Sequence, residues 1–310
     1  MITSKSLDFF ENNYDLIHNG IYSSGPKELV SIGEECRFCG KEKGETTFKN
    51  VSHGIPECLG NNQLVTKDEC DACNTLFSNT IEDHLDKFTK PLRIVGQISG
   101  KRGIPNYKSN DKRSRISFTD MMEISFKDPE TFVTVDEENK QLRVMVHREP
   151  YIPHLAYKAL IKIALSTLDS KTEFEPFAPV ARWLVDPSAP HLMRPELLFQ
   201  TFIPGPRPTN GIASFFFRRK KTVDHVPYAF YVIAFGNVSL QIMVPSLTDN
   251  GRTIDCAIPF FPTPFEFMDW PYGEVTRTTV DMTGTDLVRN QPLPLTYSFD
   301  SIREIDPSER

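Results

Sequence analysis

Four cysteines stand in two short hooks, Cys36-Arg-Phe-Cys39 and Cys70-Asp-Ala-Cys73, with residues 40–69 between them. Each C-x2-C turn brings two sulfurs to one centre. Four thiolates fill the tetrahedral shell that Zn2+ prefers and leave no position open for chemistry. A structural zinc on Cys36, Cys39, Cys70 and Cys73 is therefore the predicted cofactor. Redox dithiols and disulfides are the competing uses. A thioredoxin-like motif needs its C-x2-C at the head of a helix inside a βαβ unit, which neither hook shows. A disulfide framework is unusual in a long chain with paired hooks. Between the hooks runs Val51-Ser52-His53-Gly54-Ile55-Pro56-Glu57, and Asn74 directly follows the last cysteine. A neutral imidazole near pH 7 can take a proton from water. A carboxamide oxygen is a hard ligand suited to Mg2+. These are two of the parts that metal-assisted phosphodiester hydrolysis requires.

The elements around these residues follow from pattern. The spacing of Leu76, Phe77, Ile81, Leu85 and Phe88 predicts one helix that starts at the second hook and stops at Pro91. Residues 1–33 read as a leader with helical character at Leu7, Phe10, Tyr14 and Ile17, closed by the Ser23–Pro26 turn. Residues 34–92 form the Cys-rich module. Residues 93–115 are predicted as a basic linker. Residues 116–310 form a β-rich domain, and the whole is α+β. Strands are expected at Arg115–Phe126 and Thr131–Val146, with 136–140 as a hairpin tip. Further strands are expected at Leu197–Ile203, Ile212–Phe217 and Thr253–Phe260. Tyr228–Phe235 and Val238–Val244 form a hairpin closed at Gly236-Asn237. Tyr157, Leu160, Ile161, Ala164 and Leu168 predict a core helix, with Lys158 and Lys162 placed in solvent outside its stripe.

The chain has 310 residues and a net charge of −6, which argues against a globally basic nucleic-acid binder. Charge is unevenly spread, however. From Arg93 to Arg115 seven basic residues less one acid, Asp111, leave a local +6. Lys101, Arg102, Lys112 and Arg113 in this segment are candidate phosphate contacts; a solvated arm is the plain alternative. Arg218-Arg219-Lys220-Lys221 reads as a charged turn. No apolar run reaches the length of a membrane span, and the N-terminus lacks a signal peptide's apolar region, so a cytoplasmic protein is expected.

Taken together, Cys36, Cys39, His53-Gly54-Ile55-Pro56-Glu57-Cys58-Leu59-Gly60, Cys70 and Cys73-Asn74 resemble the HNH endonucleases, a branch of the His-Me finger (ββα-metal) nucleases, in members with a four-cysteine zinc knuckle. The resemblance implies a ββα-metal fold for 34–92 and an endonuclease that hydrolyses DNA. It implies His53 as general base, Asn74 as a ligand of catalytic Mg2+ or Mn2+, and His84 as a loose match to the family's final histidine. It also suggests a setting in restriction, anti-phage defence or a mobile element. One position departs: many members carry an acid just before the histidine, where this chain has Ser52. Glu82, His84, Asp68 and Asn62 are the candidates to replace that ligand. A structural His53, a helix-capping Asn74 and a surface His84 are the plainer roles. Two other functional classes remain. One is a non-catalytic zinc ribbon that binds nucleic acid. The other is a ligand-gated nuclease whose C-terminal domain is a sensor; that domain could equally read DNA or build a homodimer.

Overall fold

The computed structural model describes residues 2–109, 112–118, 122–126, 132–206, 208–250, 256–299 and 301. Its largest element is a six-stranded antiparallel sheet in the order Tyr14–Tyr22, Thr209–Arg219, Ala229–Gly236, Val238–Val244, Leu197–Phe202, Thr276–Asp281. The hairpin at Gly236-Asn237 is present as expected. Phe235 pairs with Val238, and Gly236 takes the positive φ (54°) that such a tight turn demands.

The strand Ala229–Gly236 is apolar at nearly every position because both faces of the sheet are covered. Tyr231, Ile233 and Phe235 face a core shared with the helix Pro153–Ser166. Phe230 and Val232 face the opposite side, where Phe10 and Tyr14 cover them. Phe217 stacks on Phe230 at 4.4 Å, and Phe10 lies 4.8 Å from the same ring. Each such buried aromatic contributes roughly 1.5–3 kcal/mol. Of the expected leader, residues 2–33 supply a helix and a strand of this sheet. The helix Ile2–Asn13 ends before Tyr14, and Tyr14–Tyr22 is an edge strand of the sheet. Leu7 and Phe10 lie in the helix as expected, whereas Tyr14 and Ile17 lie in the strand.

The Cys-rich module holds a small sheet, Glu28–Val30 parallel to Leu64–Thr66, with Ser52–His53 antiparallel on its other side. Two helices follow, Asp71–Asn79 and Ile81–Val95, where one was expected. The break falls at Thr80, whose ψ of −94° is not helical. Pro91 does not stop the second helix, which runs on to Val95 with Pro91 buried inside it. Ile81, Leu85, Phe88 and Leu92 join the core that also contains Tyr157, Leu160 and Ile161.

The expected linker is largely built into the fold. Arg93 lies buried in the long helix, and Tyr107–Lys108 pairs with Arg115–Phe118, which pairs with Met122–Ser125. Asp111 lies outside the described residues, as do 119–121 and 131 in the expected strands. Val133–Asp136 and Gln141–His147 form the predicted hairpin and pair onward to Pro292–Ser298. Of the expected strand Thr253–Phe260, residues 253–255 lie outside the description, and 256–260 form no strand. Nor is Arg218–Lys221 simply a solvated turn. Arg218 and Arg219 belong to the long strand, and Arg219 is buried and paired with Asp249 at 2.9 Å.

The largest departure concerns the central helix Pro153–Ser166. Lys158 and Lys162 are 0% and 1% exposed. The helix is apolar nearly all round, the pattern of a helix buried on every side. A lysine on such a helix is buried with it and needs partners. Lys158 lies over the Trp183 ring and donates to the carbonyls of Trp183 and Asp186. Lys162 finds its partners in the Cys-rich module. Among the described residues, no helix is long and apolar enough to cross a membrane.

Candidate active site

The four predicted ligands converge: one sulfur from each of Cys36, Cys39, Cys70 and Cys73 lies within a 4.8 Å set, and Cys39 Sγ is 3.8 Å from Cys70 Sγ. None of the four is in a disulfide. Gly40 closes the first hook at φ +70°, its N–H donating to the Cys36 carbonyl at 2.7 Å. A Cβ there would strike the Arg182 guanidinium. The N–H of Cys70 points at Cys36 Sγ and that of Cys73 at Cys70 Sγ, both at 3.5 Å, which suits thiolate acceptors. The donor set and its closeness fit zinc, whose place would be structural.

The hooks are tied to the rest of the chain by Arg37. Its guanidinium forms a two-pronged pair with Asp68 (2.8 and 2.9 Å) and donates to the carbonyls of Leu165 and Leu168. Asp68 is thereby spent, accepting also from the Ile32 N–H at 2.6 Å. It is not free to replace the missing metal ligand.

His53 ends the short strand Ser52–His53, opposite Val65. Its Nε2 lies 3.7 Å from Glu57 Oε1, and its Nδ1 is buried with no hydrogen-bond partner. Burial pushes His53 below the ordinary imidazole value. Glu57 opposes this, while Lys27 and Lys162 add to it. Burial thus favours the neutral ring. Ser52 is buried, and its hydroxyl has no partner.

Beside His53 sits a charged group that pattern alone placed in solvent. Lys162 Nζ lies 3.1 Å from Glu69 Oε2, 3.0 Å from Glu82 Oε1 and 3.3 Å from the His53 carbonyl oxygen. Glu69 has no other partner for either oxygen. Burial raises its carboxyl to about 7; Lys162 opposes the rise and Glu82 adds to it. Lys162 is itself held above the ordinary lysine value, because Glu69 and Glu82 together outweigh the cost of burial. Glu69 carried no sequence signal beyond its place before Cys70. The signal for Lys162 was the unbroken apolar run around it.

Glu82 lines a cleft of about 620 Å3 together with Glu57, Ser78, Lys101 and Arg102. Two of the four basic candidates therefore line the same cleft as Glu82, whereas His53 and Asn74 do not line it. Lys112 and Arg113 do not line that cleft; they are exposed at the turn before the strand Arg115–Phe118. Asn74 is half-buried, one turn before Ser78 on the first helix. It is not the helix cap: Cys70 holds that place, its side chain accepting from the Cys73 N–H. His84 Nδ1 accepts from the Ile152 N–H at 3.1 Å, at the head of the central helix, and does not line the cleft. Asn62 is exposed.

A four-cysteine cluster suited to zinc, a short strand pair carrying His53 and a following helix make up a ββα module. Residues 36–89 match the family described as HNH endonuclease, and this segment of the chain is an HNH module. No curated protein and no solved structure matches the chain.

Proposed function

We propose that the protein is a divalent-metal-dependent endonuclease that hydrolyses DNA phosphodiester bonds, with His53 as general base. The observation that carries this reading is a histidine in the matched segment whose basicity burial lowers, with Nε2 3.7 Å from Glu57, a residue of the cleft that also carries Glu82 and the cations Lys101 and Arg102. An imidazole nitrogen of His53 takes a proton from a water. The water oxygen bonds to phosphorus as the P–O3′ bond breaks, and the departing 3′ oxygen is protonated from solvent. Lys101 and Arg102 lie along the DNA backbone and offset its charge. Lys162 fixes Glu82 and the His53 backbone from a second element, so that base and carboxylate keep their spacing. Asn74 and Glu82 offer the hard oxygens that would hold Mg2+ or Mn2+, which when bound neutralises charge on the scissile phosphate. A setting in restriction or anti-phage defence accords with this chemistry and rests on the family alone.

One observation favours a second reading. Lys162 already places a positive charge between Glu69 and Glu82, and Ser52 supplies no carboxylate. A module so arranged could bind nucleic acid without cutting it. Plasmid nicking with Mg2+ and with EDTA separates the two readings: cleavage that depends on Mg2+ supports the nuclease, and binding without cleavage supports the alternative.

A further inference from the structure

Away from the knuckle, three ligating side chains meet in the interior at the start of the central helix. His154 is the second residue of Pro153–Ser166. His191 lies in the loop after the helix Ala178–Leu184, and Glu196 stands just ahead of the strand Leu197–Phe202. Their side chains are 5%, 7% and 1% exposed. His154 Nδ1 is 2.8 Å from Glu196 Oε2, and Nδ1 of both histidines is 3.0 Å from Oε1. The two imidazole centroids are 4.2 Å apart. One ligand atom from each residue lies within 4.8 Å of the others.

Hydrogen bonding alone leaves this group incomplete. Each imidazole spends one nitrogen on Glu196, and both Nε2 atoms are buried without a partner. Neutral or protonated, each ring keeps an unsatisfied acceptor or donor. Nor does the nearby ammonium neutralise Glu196 by contact, because Lys158 Nζ donates to the Trp183 and Asp186 carbonyls. A cation placed among the two Nδ1 atoms and the Glu196 carboxylate accepts both imidazole lone pairs and balances the carboxylate charge, and it leaves each Nε2 as the ring's N–H. Two imidazoles and a carboxylate are a donor set for divalent first-row transition ions rather than for Mg2+ or Ca2+. At metal–ligand distances of about 2.0–2.2 Å, neighbouring ligand atoms on one ion lie about 3 Å apart, the spacing found here.

We propose that His154, His191 and Glu196 form a second metal site, separate from the four-cysteine site, for a divalent first-row transition ion such as Zn2+. The ion is closed off from solvent and clamps the 187–196 loop onto the helix that carries Lys162 two turns further on. The role is structural, and its test does not depend on cleavage.

The experiment is metal counting on the full-length protein after equilibration with Zn2+ and removal of free ion. The expected result is about two zinc per chain. A mercurial thiol reagent should release one equivalent, from the cysteines, and leave the other bound. His191→Ala and Glu196→Gln should each retain only the thiol-releasable equivalent. Because either variant could fold poorly, the wild-type count also decides alone. One zinc per chain in the wild type, all released by the thiol reagent, overturns the proposal. So does a second equivalent that persists in both folded variants.

Discussion

At His53 the electrostatics set a measurable pH dependence. Burial is the largest cause of its lowered pKa, so the folded protein prefers the neutral ring. The stability this gives is present above the unfolded value of 6.5 and is lost as pH falls through the lower folded value. The base form persists over the same range. The acid limb of the cleavage rate should therefore have its midpoint below 6.5; a midpoint above 6.5 in a pH–rate profile would contradict the geometry. Lys162 makes a different prediction. Lys162→Ala leaves Glu69 without a partner in a buried place, and should cost about 3–5 kcal/mol in denaturant unfolding. A loss under 1 kcal/mol would mean that water or another cation already serves Glu69. His53 was legible in the sequence because its neighbours Ile55, Pro56 and the two hooks are local. Lys162 was not, because its partners Glu69 and Glu82 are distant in sequence and meet it only when the central helix packs on the module.

Among the elements, local signals were readable where a residue type forces the backbone. The Gly236-Asn237 hairpin and the helix start at the second hook are of this kind. Ends set by packing were not. The Thr80 break and the run through Pro91 follow from the second helix laying Ile81, Leu85, Phe88 and Leu92 on the shared core. The basic segment divides in the same way. Lys101 and Arg102 line the cleft beside Glu82, whereas Lys112 and Arg113 stand at the turn of a separate small sheet. Lys101→Ala with Arg102→Ala should weaken binding to all DNA sequences alike. The salt dependence should flatten by up to about 0.9 in slope per lost phosphate contact. The pair Lys112→Ala and Arg113→Ala should change the slope less. Equal effects in fluorescence anisotropy titrations across salt would remove the distinction between them.

On the scale of the whole molecule, the HNH module does not stand alone. Arg37 reaches the carbonyls at the end of the central helix, Lys162 reaches back to Glu69, Glu82 and His53, and one core spans both regions. A fragment of residues 34–92 should hold zinc on its four cysteines yet fail to cleave DNA, since it lacks the lysine and the helix behind its site. Full cleavage by that fragment would show that the β-rich region is dispensable. The sequence divided the chain by composition, which marks motifs well but says little about which segments share a core. The central claim is that His53 performs base-assisted, metal-dependent cleavage. The most direct measurement is conversion of supercoiled plasmid by the full-length protein with Mg2+ and with EDTA, wild type beside His53→Ala. Cleavage should require Mg2+ and fall by about 100-fold or more in His53→Ala, with the thermal midpoint and DNA affinity kept. Cleavage by His53→Ala at the wild-type rate would contradict it.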